Sequence, residues 1–107
     1  MTQYNEDVNP HRRKWRKKFE QFHADNPDIY DMLVEMARKV KARGFKCSIY
    51  FLIERVRWFL MIETTGEQAR DFKINNNFSP FYSRKIMAEN PDLDGMFDLR
   101  DHAPHMA

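Results

Sequence analysis

The sequence predicts a small, mainly α-helical domain with one β-hairpin, and three observations carry that expectation. Proline preceded by Asn or Ser recurs at Asn9-Pro10, Asn26-Pro27, Ser79-Pro80 and Asn90-Pro91, and proline behind a capping side chain marks a helix start. After each mark the apolar residues return at steps of three and four, the helical spacing. The chain has 107 residues, 42% of them hydrophobic and 14% aromatic, which is enough for one core and too little for two domains. The expected domain spans 9–100, between flexible segments at 1–8 and 101–107.

The first helix is expected from Pro10 to about Ala24, with Trp15, Phe19 and Phe22 as its apolar stripe. The second runs from Pro27 to about Arg43, turns Ile29, Tyr30, Leu33, Val34, Ala37 and Val40 inward, and ends at Gly44 as a C′ glycine. Ser48 caps the third, whose Ile49, Leu52, Ile53 and Val56 repeat at the helical period. Tyr50 and Phe51 lie off that stripe, so the third helix is apolar on more than one side and is expected to be covered by neighbours. Trp58 to Ile62 is apolar throughout, and such a run fits either a buried strand or a continued helix. Thr64, Thr65 and Gly66 are poor helix residues, and Phe72 and Ile74 alternate with Lys73 and Asn75. A hairpin pairing Phe59 to Thr64 with Asp71 to Asn76 is therefore expected, with continuation of the third helix to about Glu63 as the alternative. A fourth helix from Pro80 to about Glu89 turns Phe81, Tyr82 and Ile86 inward and Ser83, Arg84 and Lys85 outward. A short fifth from Pro91 buries Leu93, Met96, Phe97 and Leu99.

Several function classes find no support in the residues. A single cysteine, Cys47, makes neither an internal disulfide nor a cysteine-rich zinc site and suits a reducing compartment. The longest apolar run falls far short of the ~18 residues of a membrane span, so no membrane association is expected, and the polar N-terminus lacks a signal core. A Gly-rich phosphate loop, a His-Glu-x-x-His and a Cys-x-x-Cys are all missing. Asp101, His102 and His105 have the ligand types of a zinc site, and Asp92, Asp94, Asp98 and Asp101 could be grouped as carboxylates. A frayed tail and solvated helix-start acids account for them more simply, so no enzyme, no metal and no cofactor is expected. Cys47 reads as a small core residue.

Charge is more informative. The net charge is +2, yet residues 10 to 57 hold thirteen Lys/Arg against six Asp/Glu. Two clusters dominate: Arg12, Arg13, Lys14, Arg16, Lys17 and Lys18, and then Arg38, Lys39, Lys41, Arg43 and Lys46. Each alone reads equally well as a solvated helix face; together they favour a polyanionic partner. Three helices followed by a hairpin is the element order of a winged helix-turn-helix, in which the third helix enters the major groove and the wing touches the backbone. Lys46 and Ser48 then stand at the start of the inserting helix, with Arg55 and Arg57 along its exposed side. Asn75 to Lys85 is a second, more polar candidate, since Asn76 can read adenine and Arg84 and Lys85 follow a helix start.

The segment Phe72-Lys73-Ile74-Asn75-Asn76-Asn77-Phe78-Ser79-Pro80-Phe81-Tyr82-Ser83-Arg84-Lys85, continued by Asn90-Pro91-Asp92-Leu93 and Phe97-Asp98-Leu99-Arg100, resembles a recurrent pattern of small phage and prophage proteins. Ser48, Ile53-Glu54 and Arg57-Trp58 belong to the same resemblance, which covers about residues 15 to 100. It implies a viral or prophage accessory protein in a bacterial cytoplasm and supplies no catalytic residues. The resulting expectation is a non-enzymatic nucleic-acid-binding protein, for DNA rather than RNA. Its contacts would be Arg12, Arg13, Lys14, Arg16, Lys17, Lys18, Lys46, Arg55, Arg57, Asn76, Arg84 and Lys85. The alternative is a protein that binds and inhibits a host protein, anchored by Tyr4, Trp15, Trp58 and Met61. A homodimer is also expected if the third helix needs a cover.

Overall fold

The computed structural model describes residues 10–71 and 75–98, and the expected flexible ends lie outside them. Four α-helices follow in order, α1 (Pro10–Asp25), α2 (Pro27–Ala42), α3 (Ile49–Trp58) and α4 (Ser79–Glu89). Helix α2 is the hub, because α1, α3, α4 and the turn at Pro91–Leu93 all pack against it. Its Ile29, Leu33 and Ala37 are wholly buried, as are Val56 and Leu60 from α3 and its extension, Tyr82 and Ile86 from α4, and Leu93. These residues recur every three or four positions, so each helix closes one stripe of the same core. On the α1 side the core is aromatic: the Phe19 ring lies 5.5 Å from Phe81 and edge-on to Tyr82 at 4.7 Å.

Gly44 ends α2 as expected. At φ +85° it lets its own N–H reach the Lys41 carbonyl at 2.8 Å and the Phe45 N–H reach the Val40 carbonyl at 3.2 Å, which is the Schellman closure. Ser48 caps α3 by accepting from the Phe51 N–H at 3.1 Å. The asparagines before proline act differently from the expectation. Asn26 Nδ2 donates back to the Phe22 carbonyl at 3.1 Å, and Asn90 Nδ2 donates to the Ile86 carbonyl at 2.8 Å. Each closes the end of the preceding helix, where orphan carbonyls need donors. Ser79 likewise is no cap: it sits inside α4 with its hydroxyl buried.

The expected hairpin is replaced by helix. Phe59–Glu63 continues α3 as one π-helical turn, and no strand occurs among the described residues. Two contacts fix this outcome: Leu60 is wholly buried, and its carbonyl accepts both the Thr64 hydroxyl at 2.8 Å and the Arg70 N–H at 3.0 Å. The chain therefore closes back on the helix end instead of pairing as a ladder. The wing of a winged helix-turn-helix is accordingly missing from the described residues; of the expected second strand, residues 72–74 lie outside them. The fifth helix shortens to a single 3-10 turn, Pro91–Leu93, which still brings Leu93, Met96 and Phe97 into the core. Leu99 lies outside the described residues. Ser83, expected outward, is buried, whereas Tyr50 and Phe51, expected to be covered, are 51% and 59% exposed.

No helix is long and apolar enough to cross a membrane. Replacing Leu33 by Ala in the hub should lower unfolding free energy by about 2 to 5 kcal/mol, while Lys17→Ala on the outer face of α1 should change it by less than about 0.5 kcal/mol. Urea denaturation followed by circular dichroism measures both.

Candidate nucleic-acid interface

Helix α1 carries six of the expected contacts. Lys14, Lys17 and Lys18 are exposed and stand at i, i+3 and i+4, hence on one face. The ammonium groups of Lys14 and Lys18 lie 5.7 and 5.6 Å from the centre of the half-buried Trp15 ring, so the indole holds the two charges above it. Arg13 is exposed and Arg12 half-buried. Arg16 bonds Glu20 one turn on, at 3.3 Å.

The fold brings a distant polar segment to this helix. Asn76–Phe78 forms a 3-10 turn closed by Asn75, whose Oδ1 accepts from the Asn77 N–H at 2.9 Å and from Asn77 Nδ2 at 2.8 Å. Phe78 is buried, with its ring 6.2 Å from Trp15, 6.0 Å from Phe19 and 5.4 Å from Phe22. That wedge pins the turn against α1 and leaves Asn76 exposed beside it. A cationic helix and an exposed amide turn thus share a border.

The remaining expected contacts are placed elsewhere. Lys46 is exposed on the connection between α2 and α3. Arg55 pairs with Glu63 at 3.3 Å, and Arg57 pairs with Asp71 at 2.8 Å and with Glu54 at 3.9 Å. Lys85 bonds Glu89 at 2.7 Å and lies 5.5 Å from the centre of the Tyr30 ring, while Arg84 is half-buried on α4. Arg55, Arg57 and Lys85 thus each have a carboxylate within reach, as Arg16 does on α1. The second basic cluster divides in the same way. Arg38 makes a two-pronged pair with Asp92 at 2.8 and 3.2 Å and reaches Asn90 Oδ1 at 3.0 Å. Lys41 donates to the Asp92 carbonyl. The Arg38 guanidinium holds the Asp92 carboxyl below its usual value. Lys39, Arg43 and Lys46 have no ion pair among the described residues and surround an apolar groove beside Phe51.

That groove opens onto the second apolar side of the third helix, for which the sequence left open a cover by neighbouring elements or by a second copy. Phe45, Tyr50, Phe51, Trp58, Met61 and Ile62 are all exposed, on the side of α3 and its extension away from Leu52, Val56 and Leu60. The apolar residues lying off the main stripe were the signal for it.

The chemistry of the other titratable groups is structural. Burial pushes the Cys47 thiol up, which disfavours a thiolate nucleophile. The Tyr30 hydroxyl, pushed up to about 12 by burial and then by its bond to Glu89, donates to that carboxylate at 2.7 Å and accepts from Asn90 Nδ2 at 3.1 Å. Among the described residues no three His, Cys, Asp or Glu side chains gather as metal ligands; Asp101, His102 and His105 lie outside them. No protein-family model, no curated protein and no solved structure matches the chain.

His23, near the end of α1, stacks on Phe19 and meets Tyr30 edge-on. Burial first, and the Lys85 charge second, hold it below 6.5. The unfolded chain therefore binds the proton more readily, so stability present above pH 6.5 is lost as pH falls through the folded value. Glu89, lowered by its bonds to Lys85 and Tyr30, and Asp92 act with the same sign at lower pH. The His23 ring proton resonances should titrate below 6.5 in an NMR pH series, and Lys85→Met should raise the midpoint. A midpoint at or above 6.5 in the unaltered protein would contradict the burial.

Proposed function

We propose that this protein binds nucleic acid without catalysis, with duplex DNA preferred to RNA, through the outer face of α1 and the adjoining asparagine turn. The observation that carries the reading is the juxtaposition of Lys14, Lys17 and Lys18 with the exposed Asn76, held by Phe78 on Trp15 and Phe19. A basic helix about 10–12 Å wide fits the DNA major groove, whereas the deep, narrow major groove of duplex RNA excludes it. No wing is needed, and α3 is not the inserting helix: its outer face is aromatic and Arg55 and Arg57 are held by acids. The resemblance to phage and prophage proteins makes the bacterial cytoplasm the setting and an accessory or regulatory role the task.

A second reading, an inhibitor that docks on a host protein, is favoured by one observation, the large apolar side chains exposed along α3.

Binding to random duplex DNA, duplex RNA and the DNA upstream of its own coding region, titrated with salt, tests the first reading. If α1 neutralises about six phosphates, log affinity against log salt falls with a slope of roughly −5, and Lys17→Gln reduces that slope by about 1 on every sequence. Asn76→Ala should instead weaken some sequences more than others. An absence of binding at about 50 mM salt and micromolar protein would remove the nucleic-acid reading and leave the docking one.

A further inference from the structure

Among the described residues, none covers the outward face of α3. Phe51, Trp58 and Ile62 succeed one another at steps of seven and four, Tyr50 and Met61 flank them, and Phe45 extends the surface beyond the N-terminal end. Phe45 is 64% exposed and Ile62 55%. A half-exposed side chain of this size presents on the order of 100 Å², so the six together show about 600 Å². That is at the upper limit for the largest apolar patch of a monomer and approaches the ~800 Å² that each partner gives to a stable interface.

The polarity of the face selects its occupant. Toward its C-terminal end, Glu63 accepts from Arg55 at 3.3 Å and from the Trp58 indole N–H at 2.9 Å. The Trp58 indole N–H therefore keeps its partner when apolar surface covers the ring. Its ends carry opposite charge. Lys39, Arg43 and Lys46 surround the N-terminal end, and Glu63 and Glu67 stand at the other. A surface whose ends carry opposite charge complements itself after a half-turn, which is the geometry of an isologous pair. The relief agrees: a groove of about 550 Å³, floored by Val40, Phe45, Cys47 and Phe51, lies at the basic end, while Met61 and Ile62 project from the acidic end. The fifteen residues from Ile49 to Glu63 span about 20 Å, the reach needed to lay one copy's projection over the other's groove.

We propose that α3 and its π-helical extension form the interface of a two-fold symmetric dimer, with the helices antiparallel and Met61 and Ile62 of each copy seated in the groove beside Phe51 of the other. This inference is independent of the nucleic-acid reading.

Sedimentation equilibrium of the full chain without nucleic acid, from about 1 to 100 µM, tests it. The expected mass is twice the 13.0 kDa of the chain. Phe51→Glu and Trp58→Glu alter exposed side chains, so circular dichroism should remain unchanged while each weakens association by about 100-fold or more, since each removes a large aromatic anchor from the interface. Lys46→Glu should also weaken it, and adding Glu67→Lys to Lys46→Glu should restore part of the loss, as only pairing of basic end with acidic end allows. A monomer throughout this range overturns the proposal, as does a dimer indifferent to both Phe51→Glu and Trp58→Glu. A monomer that binds an acidic amphipathic peptide or anionic vesicles through Trp58 also overturns it, and assigns the face to a foreign partner.

Discussion

Burial of the α2 stripe is the constraint on which the other features depend. Ile29, Leu33 and Ala37 lose all contact with solvent only because α1, α3 and α4 each bring a face to the same helix. At this chain length the unfolded surface is only about two-thirds hidden, so a helix placed against the hub is covered on one side alone. For α1 that leaves an outer face of cations, which water solvates readily. For α3 it leaves aromatic rings, which water does not favour.

Charge is sorted by the same arrangement. Arg38 on α2 finds Asp92 because Leu93 draws the Pro91–Leu93 turn onto the hub, and Arg70 finds Asp28, at 3.0 Å, because the loop after the π-helical turn returns to the start of α2. Exposed pairs of this kind contribute little to stability. Their larger effect is on the surface, since they place a carboxylate beside each of Arg38, Arg57 and Arg70. The basic half of the chain is thereby divided into a row on α1 beside the asparagine turn and a rim around the groove at Phe51. One suits a phosphate backbone; the other borders an apolar surface and suits an acidic edge.

The sequence by itself determined the features that rest on local chemistry. Three proline-marked α-helix starts, the closure at Gly44, the Ser48 cap and the buried apolar residues of α2 and α4 depend on neighbours within a turn or two, so spacing made them legible, as it did the cationic face of α1. The tertiary structure decided what depends on distant partners. Phe59 to Glu63 has no period of its own, and burial of Leu60 with capture of its carbonyl by Thr64 and Arg70 made it helical. Which cations remain available was set by acids 14 and 54 positions away, Asp71 for Arg57 and Asp92 for Arg38, and the meeting of Asn76 with α1 was set by Phe78. Exposure of Tyr50 and Phe51 was equally out of reach of pattern, because an apolar residue on a second helix face is buried only if another element remains to cover it, and here the hub had already engaged the other described helices.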